Sequence, residues 1–475
     1  MRIKHKDLDI PETEPFKFCQ LDRSQYAAVL TEVVRTYSDG FVLSLNNQWG
    51  TGKTTFIKMW NVYLQTKEFK TIYFNAWEND FDNNPLVALM AELETLTKGD
   101  DSTFKALTQK AAVIGKNILP ALIKAITAKY IDPGVFSDVL TSATEGATEI
   151  LDEEIKAYSE KKKGLIEFRT ELEKYVKENI EGKPLVLIID ELDRCRPNYA
   201  VQLLEQIKHF FNVPGIVFVL SIDKEQLGNA VKGVYGSEQL NSDEYLRRFI
   251  DIEFVLPDPE KGKFTKYLYN YYEFGKYFTA EERKKYRRDG NDSESLLEFA
   301  ILLFDNVKIN LRQQEKVFAH ARIALNSFGH NQRLFPILFI FLIFVRDFQP
   351  KFYKRLVDRK DSPQTIINEL KAILPANLLS ERPRAFQFLE ALLVLFYNNY
   401  YQEIEYSSKI MDRNEDGKNI LLIEPIFDPS PDRGNFISIL EHYNHFNGGE
   451  IKLSYFLNKV SLMSNFIVNM TDDTP

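Results

Sequence analysis

The sequence predicts an α/β fold in which helices cover both faces of a parallel β-sheet. Between Phe41 and Pro257, short apolar runs rich in β-branched residues alternate with amphipathic stretches, a pattern typical of strands joined by helical crossovers. After Pro257 the strand patterns fade and helical periodicity dominates, which predicts an all-helical C-terminal domain. The five runs read FVLSL, TIYFNAW, PLVLIID, GIVFVLSID and FIDIEFVLP.

The interval between Trp77 and Pro184 is much longer than one helical crossover, and most of it has helical periodicity. It therefore predicts a helical insertion at residues 101–179. A chain of 475 residues exceeds the usual size of a single core, which favours several domains. The predicted division is a sheet-containing core formed by residues 1–100 and 180–260, the insertion, and a helical C-terminal domain at residues 261–475.

The composition is that of an ordinary globular protein. Hydrophobic residues make up 44% and charged residues 27% of the chain, which excludes a disordered or fibrous class. A formal net charge of −8 gives no overall attraction to nucleic acid, so nucleic-acid binding would need a local basic patch and is not favoured. Cys19 and Cys195 are the only cysteines, too few for a disulfide framework. Such a chain fits a reducing compartment, so we expect the protein in the cytoplasm.

The apolar segments do not predict a membrane protein. The N-terminal residues lack an apolar core of signal-peptide length. The longest uninterrupted apolar run, Leu334 to Val345, has 12 residues, whereas a spanning helix needs about 20. We interpret this run as a buried helix or core segment.

A strand, a glycine-containing loop and a helix follow one another in the segment FVLSLNNQWGTGKTTFIKMW. Phosphate binding needs glycines that let backbone N–H groups point inward, a helix N-terminus, a lysine for the β- and γ-phosphates, and a hydroxyl for magnesium. Lys53 and Thr54 supply the last two. The predicted nucleotide-binding residues are Asn47, Gln48, Trp49, Gly50, Thr51, Gly52, Lys53, Thr54 and Thr55.

One position departs from the pattern G-x-x-x-x-G-K-[ST], because Asn47 stands where the first glycine is expected. Asparagine tolerates a left-handed backbone better than other residues with a side chain, so the loop is expected to survive the change. The alternative interpretation of the segment is a glycine-rich turn before an ordinary helix.

The segment PLVLIIDELDRCRP predicts the second half of the site. Apolar residues precede Asp190 at the end of a buried strand, where P-loop enzymes place the carboxylate that assists magnesium. The neighbouring Glu191 is predicted to polarise the attacking water near the γ-phosphate, a catalytic role. An acidic cap after a core strand is the alternative interpretation.

Five motifs are spaced along the segment from about Leu21 to Pro257: QWGTGKTTF, YFNAWEND, DELDRCRP, FVLSIDKEQL and YLRRFIDIEF. Through them the chain resembles the KAP family of P-loop NTPases, a relative of the AAA+ group. The resemblance implies an ATPase, and the preference for ATP over GTP depends on it. Bacterial members often act against phage, which implies an antiviral defence role. Asp193 and Arg194 are expected to be a structural pair that shapes the loop after Asp190.

The resemblance also assigns roles to residues outside these two segments. Asp223 ends the next strand, where related ATPases place a residue that senses the γ-phosphate; a helix N-cap is the alternative. Arg247 and Arg248 stand where AAA+-like relatives carry an arginine finger that enters a neighbouring subunit. Arg248 is the preferred finger. The alternative interpretation for both arginines is a solvated helix face. Arg312 looks like the second-sensor arginine and would contact the nucleotide.

Many family members carry a membrane hairpin in the interval of the insertion, and this chain departs from them. Its best candidate segment, Ala111 to Ile131, contains Lys116, Lys124 and Lys129. Each central lysine would cost about 2.5–3.5 kcal/mol on insertion scales. A helical insertion without a membrane span is therefore expected. The basic run Arg283 to Arg288 has acidic neighbours and is interpreted as a solvated helix face.

The sequence therefore predicts an ATPase that binds ATP and Mg²⁺ and hydrolyses ATP to drive or gate a protein assembly. A homo-oligomer, or partner proteins of a defence system, would complete that assembly. The first alternative is an ATP-dependent switch or scaffold with little turnover, which the intact Glu191 disfavours. The second is a nucleic-acid-stimulated ATPase, which the acidic balance disfavours.

Overall fold

The computed structural model of the chain describes residues 9–81, 84–97, 102–115, 147–180, 182–286, 291–381, 383–428, 434–446 and 451–462. These residues fall into two compact units, one within Asp7–Asp258 and the other within Pro259–Pro475. The first unit contains a five-stranded sheet, and the second is built mainly of helices. The domain boundaries expected from the sequence stay predictions.

All neighbouring strands of the sheet in the first unit are parallel, and their order is β2-β3-β4-β1-β5. Every residue of β3 and β4 is buried, because helices cover both faces of a parallel sheet. The predicted α/β fold is confirmed. The strands are β1 (Phe41–Asn46), β2 (Thr71–Asn75), β3 (Leu185–Asp190), β4 (Ile216–Ile222) and β5 (Ile252–Val255).

Alternating side chains of each strand enter two separate cores, since successive residues of a strand face opposite sides of the sheet. Val186 and Ile188 of β3 join the core that contains Trp60. Leu187 and Ile189 join the core on the other face. The helices of this unit are Ser24–Thr36, Lys53–Thr66, Pro85–Glu94, Ser102–Gly115, Ala147–Asn179, Pro197–Gln206, Lys224–Tyr235 and Ser242–Leu246, with a 3₁₀ turn at Leu192–Arg194 and a π-helical turn at Ile207–Phe211.

The interval of the predicted insertion contributes two helices, Ser102–Gly115 and Ala147–Asn179. They contact each other through the rings of Phe104 and Tyr175, whose centres lie 5.6 Å apart. None of the helices in the described ranges is both long and apolar enough to cross a membrane. The candidate hairpin segment lies outside the described residues after Gly115.

The second unit is helical, as predicted, apart from a short antiparallel hairpin of β6 (Met411–Arg413) and β7 (Asn419–Leu421). Most of the apolar run that includes Phe339 lies in helix Pro336–Phe348 and is buried in the core of this unit, as expected. The helices are Lys261–Tyr271, Phe274–Phe278, Glu281–Tyr286, Asp292–Asn306, Leu311–Leu325, Pro336–Phe348, Pro350–Asp358, Pro363–Ile373, Ala376–Glu381, Arg384–Tyr401, Gly434–Phe446 and Leu453–Val460.

The basic run that begins at Arg283 is not simply a solvated helix face. Arg283 is buried, and its guanidinium lies 2.9 Å from the carboxylate of Asp292. A buried arginine needs such a partner, because an unpaired charge in the interior is costly. The solvated interpretation is therefore wrong for Arg283. The end of the run, from Arg287 onward, lies outside the described residues.

Candidate active site

The phosphate loop, residues 47–52, joins the end of β1 to the start of helix Lys53–Thr66. Gly50 and Gly52 have φ angles of 79° and 83°, a left-handed conformation that a side chain disfavours. No side chain caps the helix that begins at Lys53. The first N–H groups of that helix are therefore available to an anion, and the helix dipole favours one there.

Lys53 is buried inside this loop, with 8% of its surface exposed. Its Nζ donates hydrogen bonds to the backbone carbonyls of Asn47 and Gln48. Burial lowers the pKa of Lys53, while the carboxylates of Asp193, Asp223 and Asp190 oppose that shift. The amine is thus held by weak carbonyl partners that a more strongly charged phosphate could replace.

Asn47 keeps the loop in place in a different way from the one expected. Its backbone does not adopt positive φ, so tolerance of a left-handed conformation is the wrong explanation. Instead, its Nδ2 donates to the carbonyl of Leu256 at 2.7 Å and to the carboxylate of Asp258 at 3.2 Å. Its Oδ1 accepts the backbone N–H of Gln48 at 2.6 Å. Asn47 therefore ties the loop to the chain that follows β5.

The other loop residues differ in exposure. Thr51 is buried, and its hydroxyl donates to the carbonyl of Gln48 at 2.8 Å. Thr54 is partly buried in the first turn of the helix, whereas Thr55 is exposed. Trp49 is 41% exposed. The loop therefore presents an aromatic ring to solvent beside a buried lysine.

Asp190 ends β3 and is almost completely buried, with 1% of its surface exposed. Its Oδ2 accepts a hydrogen bond from the hydroxyl of Tyr73 at 3.0 Å, and its Oδ1 accepts the N–H of Glu191 at 3.0 Å. A carboxylate has about four lone-pair positions. Asp190 is therefore held firmly and can still accept further bonds.

Glu191 has a φ of 61°. This left-handed conformation costs a residue with a side chain about 1–3 kcal/mol and is concentrated at functional sites. Its carboxylate lies 2.6 Å from a guanidinium nitrogen of Arg194. Burial raises the pKa of Glu191, and Arg194 opposes that shift. The candidate base is thus strained, largely shielded from water and paired with a cation.

Asp193 and Arg194 both hold groups around the loop after β3, but they do so through different partners and not by binding each other. The Oδ2 of Asp193 accepts hydrogen bonds from the indole Nε1 of Trp49 and from the backbone N–H of Asp223, the latter at 3.0 Å. Arg194 pairs with Glu191 instead. Asp193 therefore connects the end of β3 to the phosphate loop, a connection that sequence reasoning missed.

Asp223 serves two purposes at the end of β4. Its Oδ1 accepts the N–H of Gln226 at 3.3 Å and so caps helix Lys224–Tyr235. Its Oδ2 accepts the N–H of Trp49 at 3.1 Å. The alternative interpretation as an N-cap is therefore correct, and contact with the phosphate loop accompanies it. Sensing of the γ-phosphate stays a prediction.

Comparison with known proteins decides the family. A model of the KAP family P-loop domain matches residues 23–324, more than half of the chain. The chain belongs to the KAP family of P-loop NTPases. The motifs that carried the resemblance lie inside this match, so the KAP chain contains a nucleotide-binding P-loop NTPase domain.

Two further similarities add little to this assignment. The KAP chain is 29% identical over 175 residues to the uncharacterized protein MJ0182 of Methanocaldococcus jannaschii, a match that covers 32% of this chain and 89% of that protein. A solved structure of the ORC2 protein of Aeropyrum pernix, in ADPNP and ADP complexes, shares 13% identity. The match covers 90% of this chain and 94% of the ORC2 chain. Its TM-score of 0.31 is too low to support an inference.

The motif YFNAWEND of this KAP chain contacts the loop after β3. Asp80 accepts the backbone N–H of Arg196 at 2.7 Å and its Nε at 2.8 Å. At the other end of the loop, the backbone N–H of Ala76, just after β2, donates to the carbonyl of Asp190 at 2.9 Å. Two motifs far apart in the sequence therefore hold the same loop from both ends.

Arg23 is a further loop contact that sequence reasoning missed. It is 3% exposed, and its guanidinium donates to the carbonyl of Gly52 at 3.1 Å and to that of Pro257 at 3.3 Å. Burial lowers its pKa to about 10. No local pattern marks this residue, because both of its acceptors are backbone groups distant in sequence.

Arg247 and Arg248 lie at the opposite edge of the sheet from the phosphate loop. Both are exposed, and they precede β5 at the amino ends of the parallel strands. Lys208 donates to the backbone carbonyl of Arg248. Arg248 also lines a cavity of about 230 Å³ together with residues at the starts of β1 and β4. The structure therefore does not bring Arg248 to the phosphate loop of its own chain.

Arg312 lies in the second unit, exposed at the start of helix Leu311–Leu325. A capping box formed by Asn310 and Gln313 fixes the beginning of this helix. The structure therefore confirms that Arg312 stands at a helix start. Its contact with nucleotide stays a prediction.

Proposed function

We propose that this KAP protein is an ATP hydrolase that uses Mg²⁺ and acts at the carboxyl edge of its sheet. One observation carries the proposal: three parallel strands deliver an amine and carboxylates to that edge. Lys53 follows β1, Asp223 follows the adjacent β4, and Asp190 ends β3, the next strand. Ligands of open parallel sheets bind outside the carboxyl ends of the strands.

The phosphates would bind between the loop and the helix start. Lys53 supplies a cation that already lies inside the loop, and the uncapped N–H groups of helix Lys53–Thr66 supply fixed donors. Because Lys53 already occupies the loop, little rearrangement is needed when phosphate arrives. Preorganised donors of this kind stabilise charge without a reorganisation cost.

The residues present fit Mg²⁺. Mg²⁺ prefers oxygen ligands and is usually held by one or two protein groups, substrate phosphates and waters. Thr54 offers a hydroxyl and Asp190 a carboxylate with free lone pairs. The described residues contain no group of three or more carboxylate, histidine or cysteine side chains arranged as a metal site, which is compatible with this binding mode. When bound, Mg²⁺ would neutralise charge on the phosphates.

Glu191 is the proposed general base. It would accept a proton from the water that attacks the terminal phosphate, and a base works best when its pKa is close to the working pH. Burial raises the pKa of Glu191 from its ordinary value, which moves it in that direction. Its strained backbone and its ion pair with Arg194 position the carboxylate in the empty site.

The purpose of turnover rests on the family resemblance. We infer that hydrolysis drives or gates an assembly of several copies or partner proteins, and that adenine is preferred over guanine. The anti-phage setting stays a prediction of the resemblance. One observation favours a slowly hydrolysing switch as the second candidate: the ion pair with Arg194 occupies the carboxylate of Glu191.

The decisive experiment is ATP turnover by the purified protein, with and without DNA or RNA. Hydrolysis without nucleic acid supports the proposal, and binding without turnover supports the switch. Turnover that requires DNA or RNA supports the nucleic-acid-stimulated ATPase that the sequence left as an alternative. Glu191→Gln should retain ATP binding and slow hydrolysis about a hundredfold or more, as loss of a general base does. Wild-type turnover by that variant would exclude Glu191 as the base.

A further inference from the structure

Arg194 lies among three functional groups. Its guanidinium is 2.6 Å from the carboxylate of Glu191, and its central carbon is 5.9 Å from the centre of the Trp77 ring. Its neighbour in the chain, Asp193, accepts the indole N–H of Trp49 in the phosphate loop. The Arg194 side chain is only 23% exposed. Arg194 is therefore a partly buried cation next to a residue that contacts the phosphate loop.

We propose that Arg194 is a phosphate-binding residue that changes partners: it pairs with Glu191 in the empty site and with the terminal phosphate of a bound nucleoside triphosphate. The inference rests on the proposed function, because it assumes that Glu191 is the base and that Lys53 binds phosphate. In this proposal, Glu191 would leave its ion pair with Arg194 only when a triphosphate binds.

The charges favour such an exchange. Lys53 and Arg194 repel each other in a partly buried site, where electrostatic effects are stronger than in water. An anion that contacts both would relieve that repulsion. A terminal phosphate carries more negative charge than a carboxylate and accepts both N–H groups of one guanidinium edge, so it is a strong competitor for Arg194.

The surroundings of Arg194 leave it able to move. Asp193, the adjacent acid, is engaged by Trp49 and by the backbone of Asp223, so it does not hold Arg194 in place. Trp77, on whose ring the guanidinium lies, is 55% exposed. A guanidinium over an exposed ring keeps a favourable contact while its hydrogen-bond partner changes.

The exchange predicts discrimination between triphosphate and diphosphate. A triphosphate would draw Arg194 away and leave the carboxylate of Glu191 free to accept a proton. A diphosphate lacks the terminal group, so the ion pair would persist. Affinity for the triphosphate should therefore depend on Arg194, and affinity for the diphosphate should not.

The test measures binding of the β,γ-imido analogue of ATP and of ADP, both with Mg²⁺, by calorimetry. Arg194→Gln should weaken binding of the analogue about tenfold or more, the usual effect of losing a hydrogen bond between charged groups. ADP affinity should change less than twofold. Arg194→Lys keeps the positive charge but lacks the planar guanidinium that donates two parallel hydrogen bonds. Its affinity for the analogue should therefore fall less than that of Arg194→Gln. Arg35→Gln is the matched control, since it removes an exposed arginine–glutamate pair of the same i,i+3 spacing in the same unit.

Glu191→Gln tests the same exchange without altering Arg194, so it remains informative if Arg194→Gln does not fold. Removing the competing carboxylate should tighten binding of the analogue several-fold and leave ADP unchanged. In an Arg194→Gln background, Glu191→Gln should have no such effect. Equal losses for both nucleotides in Arg194→Gln, or no loss for the analogue, would overturn the exchange. Absence of nucleotide binding by the wild-type protein would instead overturn the proposed function.

Discussion

The two edges of the central sheet are built differently. At the carboxyl edge, Lys53, Asp190 and Asp223 are 8%, 1% and 6% exposed, and each is held by hydrogen bonds. At the amino edge, Arg247 and Arg248 are exposed. Groups that are fixed before a ligand arrives bind it at little cost in lost freedom. The carboxyl edge therefore holds its polar groups in fixed positions, whereas the amino edge presents exposed cations.

The length of the strands separates these edges. β1 has six residues, and six residues in a strand span about 20 Å. Arg248 cannot cross that distance to the phosphate loop of its own chain. If it acts as an arginine finger, as we propose, it must act on a neighbouring copy, and hydrolysis would then require an assembly.

The largest expected effect is at the carboxyl edge. Lys53→Ala removes the buried amine from a site that must hold several phosphate charges, so it should abolish ATP binding in calorimetry. Lys70→Ala, which removes an exposed lysine of the same unit, is the control and should bind normally. Undiminished affinity in Lys53→Ala would refute the phosphate-loop assignment.

The second effect is at the amino edge and should spare binding. Arg248→Ala is expected to bind ATP normally and to hydrolyse it about 10³-fold more slowly, within the range known for arginine fingers. Arg247→Ala should do less, because that side chain already lies 3.5 Å from the carboxylate of Glu244. Specific activity should also rise with protein concentration. The finger would be refuted if light scattering shows a monomer with ATP and Mg²⁺ and the rate does not depend on protein concentration. Arg248 would then be a solvated surface residue.

The smallest effect concerns the shape of the phosphate loop. Trp49→Phe keeps an aromatic ring but removes the N–H that Asp193 accepts, together with one ring of the indole. Loss of about 1 kcal/mol is typical for one hydrogen bond, so ATP and ADP affinities should both fall about fivefold. A loss confined to ATP would show that Trp49 contacts the terminal phosphate instead of shaping the loop.

Local patterns predicted the loop and the strand end that make up most of the candidate site. The glycines at 50 and 52 were expected from their loop, and both have the positive φ that glycine permits. The five apolar residues before Asp190 predicted a buried strand with a carboxylate at its end, and β3 has that form. Each of these features depends on neighbours in the sequence, which is why sequence reasoning finds them.

Long-range pairings could not be predicted in this way. Asp193 bonds Trp49, which is 144 positions away, while its neighbour Arg194 turns to Glu191. Asn47 bonds the backbone 209 positions ahead, and Arg23 bonds the loop from a helix start without any motif. Which polar groups meet depends on how the strands are ordered in the sheet. That order cannot be predicted from the pattern of any single segment.

We propose that one copy's carboxyl edge and another copy's amino edge form a single hydrolytic site. Mixing Lys53→Ala with Arg248→Ala protein tests it most directly, since each variant alone should be inactive. A mixed interface can pair an intact phosphate loop on one copy with an intact Arg248 on the other. The account predicts partial recovery of ATP hydrolysis that is greatest near equal proportions. Activity that never exceeds the sum of the two separate variants at any ratio would contradict it.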